Sequence, residues 1–196
     1  MSLRFYNTLT QTHEEFAPSL GNTVRMYTCG PTVWNYVHIG NLRTFTSQDL
    51  LRRWLQYRGY QLNHVMNITD VDDRIILQAL AAGQSIYDYT DAYTRAFFED
   101  TGKVRLQKPE IVSKATDHIG EMVGLIQKLE HNGCTYESEG STYFRIARFP
   151  EYGKLAHLSF SGMKSGARVD TDKYDKDDAR DFVLWKARKD EEHFWD

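Results

Sequence analysis

The sequence predicts an α/β protein built on a parallel β-sheet, because strand-like and helix-like segments alternate along its first half. Residues 24–29 (VRMYTC) are rich in strand formers and end at a Gly-Pro turn signal. Residues 41–57 carry apolar side chains at helical spacing, and residues 61–68 (QLNHVMNI) form a second predicted strand. This order favours parallel pairing with a right-handed crossover. The predicted apolar face of the helix consists of Leu42, Phe45, Leu50, Trp54 and Leu55.

Two further helices are predicted directly after the second strand. Thr69 or Asp70 is the predicted N-cap of the first, which stops near Gly83. Ser85 and Asp88 have the spacing of a capping box and open the second. The chain up to this point therefore continues the β-α-β-α order of a parallel sheet.

The pattern changes in the second half of the chain. Residues 119–129 predict a strongly periodic helix that ends at Gly133. The segment around Glu139-Gly140 predicts a β-hairpin, and residues 182–185 (FVLW) predict a short strand. We expect an inserted or appended α+β segment here, because these predicted elements do not continue the alternation of strands and helices in the first half.

Composition narrows the class of protein. The 196 residues have a net charge of −3 and only two cysteines, Cys29 and Cys134, so a disulfide framework is excluded. No basic excess supports a nucleic-acid partner. The N-terminal residues lack an apolar signal core, and no apolar run is long enough to span a bilayer. These features predict a cytoplasmic protein without a membrane partner.

The junction between the first strand and its helix has the features of a phosphate-binding site. His38 stands just before the helix and can donate a hydrogen bond to a phosphate oxygen, while the helix N–H groups favour anions. Gly40 lets a purine or ribose approach the backbone. A capped helix with an incidental histidine is the alternative. Neither a P-loop nor a dinucleotide-binding fingerprint is present.

Polar residues also follow the second predicted strand, at the same sheet edge. Asn67 and Thr69 can hydrogen-bond a small polar ligand. Asp70, Asp72 and Asp73 are typical of a helix N-terminus, where the helix dipole stabilises carboxylates, and a Mg²⁺ site is the weaker alternative.

Cys29, at the end of the first strand, is either a small core residue or a thiolate ligand of zinc. Zinc needs four ligands, and the histidines of the chain are scattered without ligand-like spacing. These histidines include His64, His118, His131 and His157.

Four segments resemble one known family when they are taken in order. CGPTVWNYVHIGNLRTF, NITDVDDRII, SGARVD and DFVLWKARK together resemble the N-terminal half of the bacterial cysteinyl-tRNA synthetases, which are class I aminoacyl-tRNA synthetases. The resemblance runs from about Leu3 to Lys189. It implies a Rossmann-like catalytic domain whose first half covers residues 1–109. Residues 110–178 would be a connective insertion that helps to hold the tRNA acceptor end, and residues 179–196 a return strand that starts the second half.

The resemblance also implies a set of site residues. His38 and Asn41 would be catalytic, and Asn41 replaces the final histidine of the family's HIGH motif. Cys29 would be one ligand of a zinc ion that binds the substrate thiolate, which suits a soft metal better than a serine hydroxyl does. ATP, with Mg²⁺, would be bound by Pro31, His38, Gly40 and Asn41, and L-cysteine by Cys29, Gly30, Thr32, Thr44, Asn67 and Thr69.

The implied reaction is the activation of cysteine by ATP to cysteinyl-adenylate, followed by transfer to tRNA(Cys). In the family, the remaining zinc ligands and the lysine-rich KMSKS loop follow the segment that matches DFVLWKARK. We therefore expect an incomplete zinc site and little or no activity from these 196 residues alone, and the family implies a monomer. A cysteine-activating ligase with an amino-sugar acceptor and a non-catalytic truncated paralogue are the alternatives.

Overall fold

The computed structural model describes residues 2–158, 180–189 and 192–195. They fall into two compact units. The hairpin unit lies within Met1–Phe16 and Gly120–Lys189, and the parallel-sheet unit within Ala17–Ile119 and Asp190–Asp196. The strands are β1 (Arg4–Asn7), β2 (Thr12–Glu15), β3 (Thr23–Thr28), β4 (Gln61–Ile68), β5 (Ile111–Lys114), β6 (Thr135–Ser138), β7 (Ser141–Phe144) and β8 (Phe182–Trp185); the α-helices are α1 (Ile39–Tyr57), α2 (Asp73–Ala81), α3 (Ile86–Lys103) and α4 (Ile119–His131).

The parallel-sheet unit confirms the predicted α/β class. β3 pairs with β4 in parallel from Thr23↔Gln61 to Thr28↔Met66. β5 pairs with the other edge of β4, also in parallel, so the strand order is β3-β4-β5. β5 is not predicted from the sequence, because it has only four residues, begins with an exposed residue and therefore carries a weak pattern.

The core of this unit joins β4 to two helices. Phe45 of α1 and Phe97 of α3 meet edge to face, with ring centroids 5.0 Å apart. Met66 and Ile68 of β4 are buried in the same cluster. Burying each of these side chains contributes roughly 1.5–3 kcal/mol, so the cluster anchors both helices to the central strand. A second cluster joins α2 to α3 through Ile75, Ala79, Ile86 and Tyr89.

The predicted apolar face of α1 is only partly correct. Phe45 and Leu55 are buried, but Leu50 is 68% exposed and Trp54 is 44% exposed. Arg52 is 5% exposed and occupies the buried face instead. The spacing of apolar residues does not show that an arginine is buried, because the burial of Arg52 depends on partners elsewhere in the chain.

Those partners form the Arg52 cluster, which consists of Thr28, Arg52, His64, Lys108 and Glu110. Arg52 forms an ion pair with Glu110 through Nη2, and its Nη1 donates to the Lys108 carbonyl oxygen at 2.7 Å. Glu110 Oε2 accepts the His64 backbone N–H at 2.9 Å. The cluster therefore ties α1 to β4 and to the chain entering β5.

His64 is neutral in this cluster. Its Nδ1 lies 3.4 Å from Arg52 Nη1, which can only donate, so Nδ1 is the acceptor and the ring proton is on Nε2. Nε2 lies 2.7 Å from Thr28 Oγ1 and donates to it. Burial lowers the pKa of His64 below its usual range, and the neighbouring Arg52 charge lowers that pKa further, against a smaller opposing effect of Glu110.

The helix starts follow the predicted chemistry with one correction. The N-cap of α2 is Asp72 and not Thr69 or Asp70, because the backbone at Thr69 still pairs in parallel as an extension of the sheet. Ser85 caps α3 as predicted: its Oγ accepts the Asp88 N–H at 3.0 Å and donates to the Asp88 carboxylate at 2.7 Å.

The hairpin unit contains a three-stranded antiparallel sheet with the order β6-β7-β8. The predicted turn is confirmed, with φ of 49° at Glu139 and 75° at Gly140, as a two-residue hairpin connection requires. Two residues of the motif DFVLWKARK hold the ends of β8 in place. The Asp181 carboxylate accepts the Ile146 N–H, and the Ala187 N–H donates to the Ser141 hydroxyl of β7.

Other predictions have mixed outcomes. The helix predicted over residues 119–129 is confirmed as α4, while the antiparallel β1-β2 hairpin is not predicted. Residues 165–170 (SGARVD) lie outside the described residues. The three-part division into residues 1–109, 110–178 and 179–196 stays a prediction. None of the helices in the described ranges combines the length with the apolar character that a membrane span requires.

The lowered pKa of His64 predicts a specific pH dependence of stability. The unfolded chain takes up a proton below about pH 6.5, whereas the folded state resists it. The contribution of His64 to the free energy of unfolding should therefore be fully present above that pH. It should be lost as the pH drops toward the lowered pKa of His64. Urea unfolding at pH 7.5 and 5.5 measures this loss. His64→Gln should make it smaller, and His131→Gln, at an exposed site, should retain it; equal losses in all three proteins would contradict the prediction.

Candidate functional site

The chain segments that leave β3 and β4 are joined beyond the ends of the strands. Thr32 and Thr69 form an isolated parallel bridge. The Thr69 N–H donates to the Pro31 carbonyl at 3.0 Å, and the Val33 N–H donates to the Thr69 carbonyl at 3.1 Å. Residues predicted from two separate motifs therefore lie side by side at the carboxyl edge of the sheet, where α/β proteins usually bind ligands.

Asn67 connects this edge through its side chain. Its Oδ1 accepts hydrogen bonds from the Gly30 N–H and the Tyr27 hydroxyl, each at 3.1 Å. Its Nδ2 donates to Thr69 Oγ1 at 3.1 Å. Three predicted substrate-binding residues, Gly30, Asn67 and Thr69, therefore share one hydrogen-bond network.

Gly30 is required by the close approach of the two segments. A Cβ atom at this position would lie 1.8 Å from the Asn67 carbonyl oxygen and 2.8 Å from Met66 Cγ. Both distances are shorter than van der Waals contact, so any other residue would push the segments apart.

Cys29 is exposed at the tip of β3, and its backbone carbonyl accepts a hydrogen bond from Gln48 Nε2 at 3.4 Å. Cys29 is therefore not a core residue, and its thiol is accessible to a metal ion or another ligand. Across the described ranges, no group of three His, Cys, Asp or Glu side chains could hold a metal ion. These residues do not form a complete zinc site by themselves, since zinc takes four ligands.

His38 is the N-cap of α1. Its Nδ1 accepts the Gly40 N–H at 3.0 Å and the Asn41 N–H at 3.4 Å. The Asn41 side-chain oxygen in turn accepts the His38 N–H at 3.1 Å, which completes a reciprocal capping box. The imidazole of His38 is exposed.

The cap decides which nitrogen of His38 can act on a ligand. A ring nitrogen that accepts backbone N–H groups carries no proton, so the neutral ring has its proton on Nε2. Capping therefore does not compete with donation to a phosphate, because the two functions use opposite nitrogens. The two alternatives raised by the sequence are compatible.

Gly40 makes room for this arrangement. A Cβ atom there would lie 2.9 Å from Cε1 and 3.0 Å from Nδ1 of His38. The absence of a side chain at Gly40 thus serves the capping imidazole, a reason that the sequence pattern does not supply. Thr44 lies exposed on α1, one turn after Gly40.

Asp70 has a structural role at the same edge. It is 1% exposed, and its carboxylate accepts the backbone N–H of Thr116 at 3.0 Å and the Thr116 hydroxyl at 2.6 Å. Thr116 lies in a 3₁₀ turn, Ala115–His118, directly after β5. Asp70 therefore fixes the chain beyond the third strand and does not cap a helix.

Two residues at this edge, Gln48 and Tyr27, are not among the predicted site residues. Gln48 follows Thr44 by four residues, so helical periodicity places both on one face of α1, and this signal could have found it. Tyr27 has no such signal, because a strand pattern does not show which neighbour its hydroxyl reaches.

The contact at Gly30 predicts the effect of two matched substitutions. Gly30→Ala should lower the free energy of unfolding by about 1–3 kcal/mol, because the new methyl group overlaps the Asn67 backbone. Gly124→Ala on α4 has nothing within 4 Å of the new methyl group and should raise it by up to about 1 kcal/mol. Urea titration followed by circular dichroism tests both. A Gly30→Ala protein as stable as the parent would refute the close packing.

The sequence of the chain matches a family of known proteins. Residues 15–196 match the family model described as tRNA synthetases class I (C) catalytic domain. A cysteine–tRNA ligase of Solibacter usitatus (strain Ellin6076) is 60% identical over 196 residues, which are 100% of this chain and 42% of that protein. The corresponding proteins of Koribacter versatilis (strain Ellin345) and Methanosarcina mazei are 53% and 47% identical, with 100% and 97% of this chain and 40% of each relative covered. The chain spans about two fifths of the length of these relatives, and it belongs to the class I tRNA synthetase family.

Proposed function

We propose that the protein to which this chain belongs is a cysteine–tRNA ligase, which activates L-cysteine with ATP and transfers it to tRNA(Cys). The observation that carries the proposal is the joined edge of β3 and β4, where the exposed Cys29 directly follows β3 and the network around Asn67 lies at the end of β4. The names of the relatives favour tRNA over an amino sugar as the acceptor.

ATP would lie against the start of α1. His38 Nε2–H would donate to a phosphate oxygen, and the first N–H groups of the helix favour the negative charge. Pro31, Gly40 and Asn41 would complete this subsite. The Asn41 amide N–H groups can donate, because its carbonyl oxygen is engaged in the cap. Mg²⁺ would accompany the triphosphate and offset its charge.

L-cysteine would bind beside the joined strand ends. Asn67 is held by Gly30, Tyr27 and Thr69, so its amide is positioned before the ligand arrives. Cys29, Thr32 and Thr44 would line the remaining sides. The first two follow β3 at the same edge, and Thr44 lies one helical turn before Gln48, whose side chain bonds to the Cys29 carbonyl.

The reaction would proceed by two substitutions. A carboxylate oxygen of cysteine attacks the α-phosphorus of ATP, a phosphorus–oxygen bond forms, and pyrophosphate leaves. The terminal ribose hydroxyl of tRNA then attacks the carbonyl carbon of the adenylate, and AMP leaves. His38 would stabilise charge on the phosphate oxygens in the first step. Stabilising the charge that develops in the transition state is the main contribution of preorganised hydrogen-bond donors to such a reaction.

Cys29 would supply one ligand of a zinc site, and the other ligands would come from outside the described residues. Zinc bound there would hold the substrate thiol as a thiolate. The same proposal includes a monomeric state and a place in the cytoplasm. It also divides the chain into a first catalytic half (residues 1–109), a connective insertion (110–178) and a return segment (179–196).

Substitution of His38 separates its two roles. In the full-length protein, His38→Asn should retain a capped α1, because Asn is a favoured N-cap residue, but it removes the Nε2 donor. Cysteine-dependent ATP–pyrophosphate exchange should therefore fall by about 10²–10³-fold with little change in thermal stability. His38→Ala should lose the same activity and about 1 kcal/mol of stability as well.

The matched control is Ser85→Ala, which removes the N-cap of α3. It should reduce stability by about 1 kcal/mol and leave the exchange rate near that of the parent. If His38→Asn exchanges pyrophosphate as fast as the parent, the imidazole has no role at the phosphate. If the full-length parent itself shows no cysteine-dependent exchange, the proposed function is wrong.

The two cysteines provide a matched test of the zinc ligand. The full-length protein should bind about one zinc ion per chain. Cys29→Ser should lose most of this zinc and its preference for cysteine over serine in the exchange assay, because a hydroxyl is a poor zinc ligand. Cys134→Ser should retain both, because the Cys134 thiol donates to the nearby Asn132 carbonyl and is not proposed as a ligand. The 196-residue chain alone should hold little zinc. Equal zinc content in both full-length variants would exclude Cys29 as a ligand.

A further inference from the structure

A serine and a histidine form a hydrogen-bonded pair at the carboxyl edge of the sheet, next to the candidate site. Ser113 Oγ lies 2.8 Å from His118 Nε2. Ser113 is the third residue of β5, and His118 ends the 3₁₀ turn that follows this strand. Ser113 is half-buried and His118 is exposed. Neither residue is among the predicted site residues.

The strand register places Ser113 beside Asn67. The two residues are partners in the parallel pairing of β4 with β5, and neighbouring strands lie about 4.8 Å apart. The residues just before them, Met66 and Val112, pack in the core cluster shared with α1 and α3. Because successive side chains of a strand point to opposite faces, Asn67 and Ser113 lie together on the other face of the sheet. The candidate site therefore extends to a third strand.

The turn that carries His118 is fixed to the end of β4. Asp70 directly follows Thr69 and is 1% exposed. Its carboxylate accepts the Thr116 N–H at 3.0 Å and the Thr116 hydroxyl at 2.6 Å. Thr116 and His118 belong to the same short turn, so a buried contact holds the backbone on which the imidazole stands. The Ser113 hydroxyl therefore has a fixed partner before a ligand arrives.

A serine hydroxyl that is bonded to an imidazole can still bind a ligand, because it has one donor and two acceptor sites. If His118 Nε2 accepts the bond, the oxygen of Ser113 can accept from a ligand; if Nε2 donates, the hydroxyl can donate to a ligand. A ligand hydroxyl complements both cases, since it can donate and accept. An ammonium group can only donate, and a carboxylate can only accept.

The charges near the pair favour a neutral ligand. The exposed Asp117 lies in the same turn as His118. The Lys114 ammonium group, which follows Ser113 in the chain, faces the Asp91 carboxylate at 3.8 Å. A phosphate group would meet the negative charge of Asp117. A neutral hydroxyl is therefore the ligand group that both the hydrogen bonding and the charges favour.

In the proposed reaction, such hydroxyl groups belong to ribose. β3 and β5 are the outer strands of the sheet, with β4 between them. Cysteine would bind where Cys29 and Gly30 follow β3, and ATP at the start of α1, whereas Ser113 lies on the opposite side of Asn67. The edge at β5 is thus the side from which the tRNA end can approach the activated carboxyl group.

We propose that Ser113, positioned by His118, binds a ribose hydroxyl of the terminal nucleotide of tRNA. The inference rests on the proposed function, because the tRNA acceptor belongs to that function. One terminal hydroxyl attacks the adenylate and must be free to reach its carbonyl carbon. Ser113 holds the neighbouring hydroxyl of the same ribose, which does not react. Ser113 is thus a binding residue, and His118 acts through it.

The first test compares the two steps of the reaction in the full-length protein. Ser113→Ala should lower kcat/KM for tRNA in the transfer step by about 5–10-fold, as expected for one lost hydrogen bond. Cysteine-dependent ATP–pyrophosphate exchange should stay within about twofold of the parent, because this step does not involve the acceptor. Ser113→Thr keeps a hydroxyl and should transfer cysteine as the parent does.

The matched control is Ser47→Ala. It removes an exposed hydroxyl that bonds to the Arg43 carbonyl within α1, and it should leave both steps unchanged.

A modified acceptor tests the ligand group itself. Of two tRNAs that each lack one terminal hydroxyl, the one that still accepts cysteine lacks the hydroxyl that does not react. The parent should transfer cysteine to this tRNA about 5–10-fold more slowly than to normal tRNA. Ser113→Ala should cause no further loss with it, because the partner of the serine is already absent.

A double substitution tests the role of His118. His118→Ala alone should lower transfer and retain exchange. When it is added to Ser113→Ala, it should cause no further loss of transfer, since it acts through the serine hydroxyl. A larger loss in the double variant would show that His118 contributes independently, and the positioning role would be wrong.

Transfer by Ser113→Ala at the rate of the parent would overturn the inference. An equal loss of exchange and transfer would also overturn it and would indicate a contact with ATP or a structural defect. So would a full loss by Ser113→Ala with the modified tRNA. In these cases the parent still exchanges pyrophosphate, and the proposed function stands. A full-length parent without cysteine-dependent exchange would remove the proposed function and this inference together.

Discussion

The structure of the candidate site depends on the close approach of the segments that leave β3 and β4. The backbone of Thr69 bonds to the Pro31–Val33 segment on one side, and Asn67 bonds to Gly30 on the other. The 1.8 Å distance from a hypothetical Gly30 Cβ to the Asn67 carbonyl shows that no side chain fits between them. Because both segments carry polar groups with fixed partners, the sheet edge is shaped before any ligand binds.

The Arg52 cluster supports this edge from behind. Thr28 ends β3 next to Cys29, and its hydroxyl bonds to His64 inside β4. Arg52 connects α1 to the same strand. The start of this helix, which His38 caps, therefore has a fixed position relative to the ends of β3 and β4. A buried arginine is costly unless it is paired, and its ion pair with Glu110 and its bond to the Lys108 carbonyl offset that cost.

His38 shows how one residue can cap a helix and still keep a free hydrogen-bond donor on its ring. Its Nδ1 satisfies the first N–H groups of α1, and Gly40 provides the space that this orientation needs. The same bonds leave the proton of the neutral ring on Nε2, the ring nitrogen that takes no part in the cap. The capping interaction thereby selects the tautomer that the proposed phosphate contact would require, so the helix start and the Nε2 donor are positioned together.

The sequence by itself determined the parallel α/β class, the bounds of β4 and β8, the turn at Glu139-Gly140 and the family, because these depend on local patterns and motifs. Only the tertiary structure decided the burial of Arg52, the role of Asp70 at the turn after β5 and the pairing of β5. Each of these depends on a partner about 45 to 60 residues away in the chain, and periodicity within one segment carries no information about such partners.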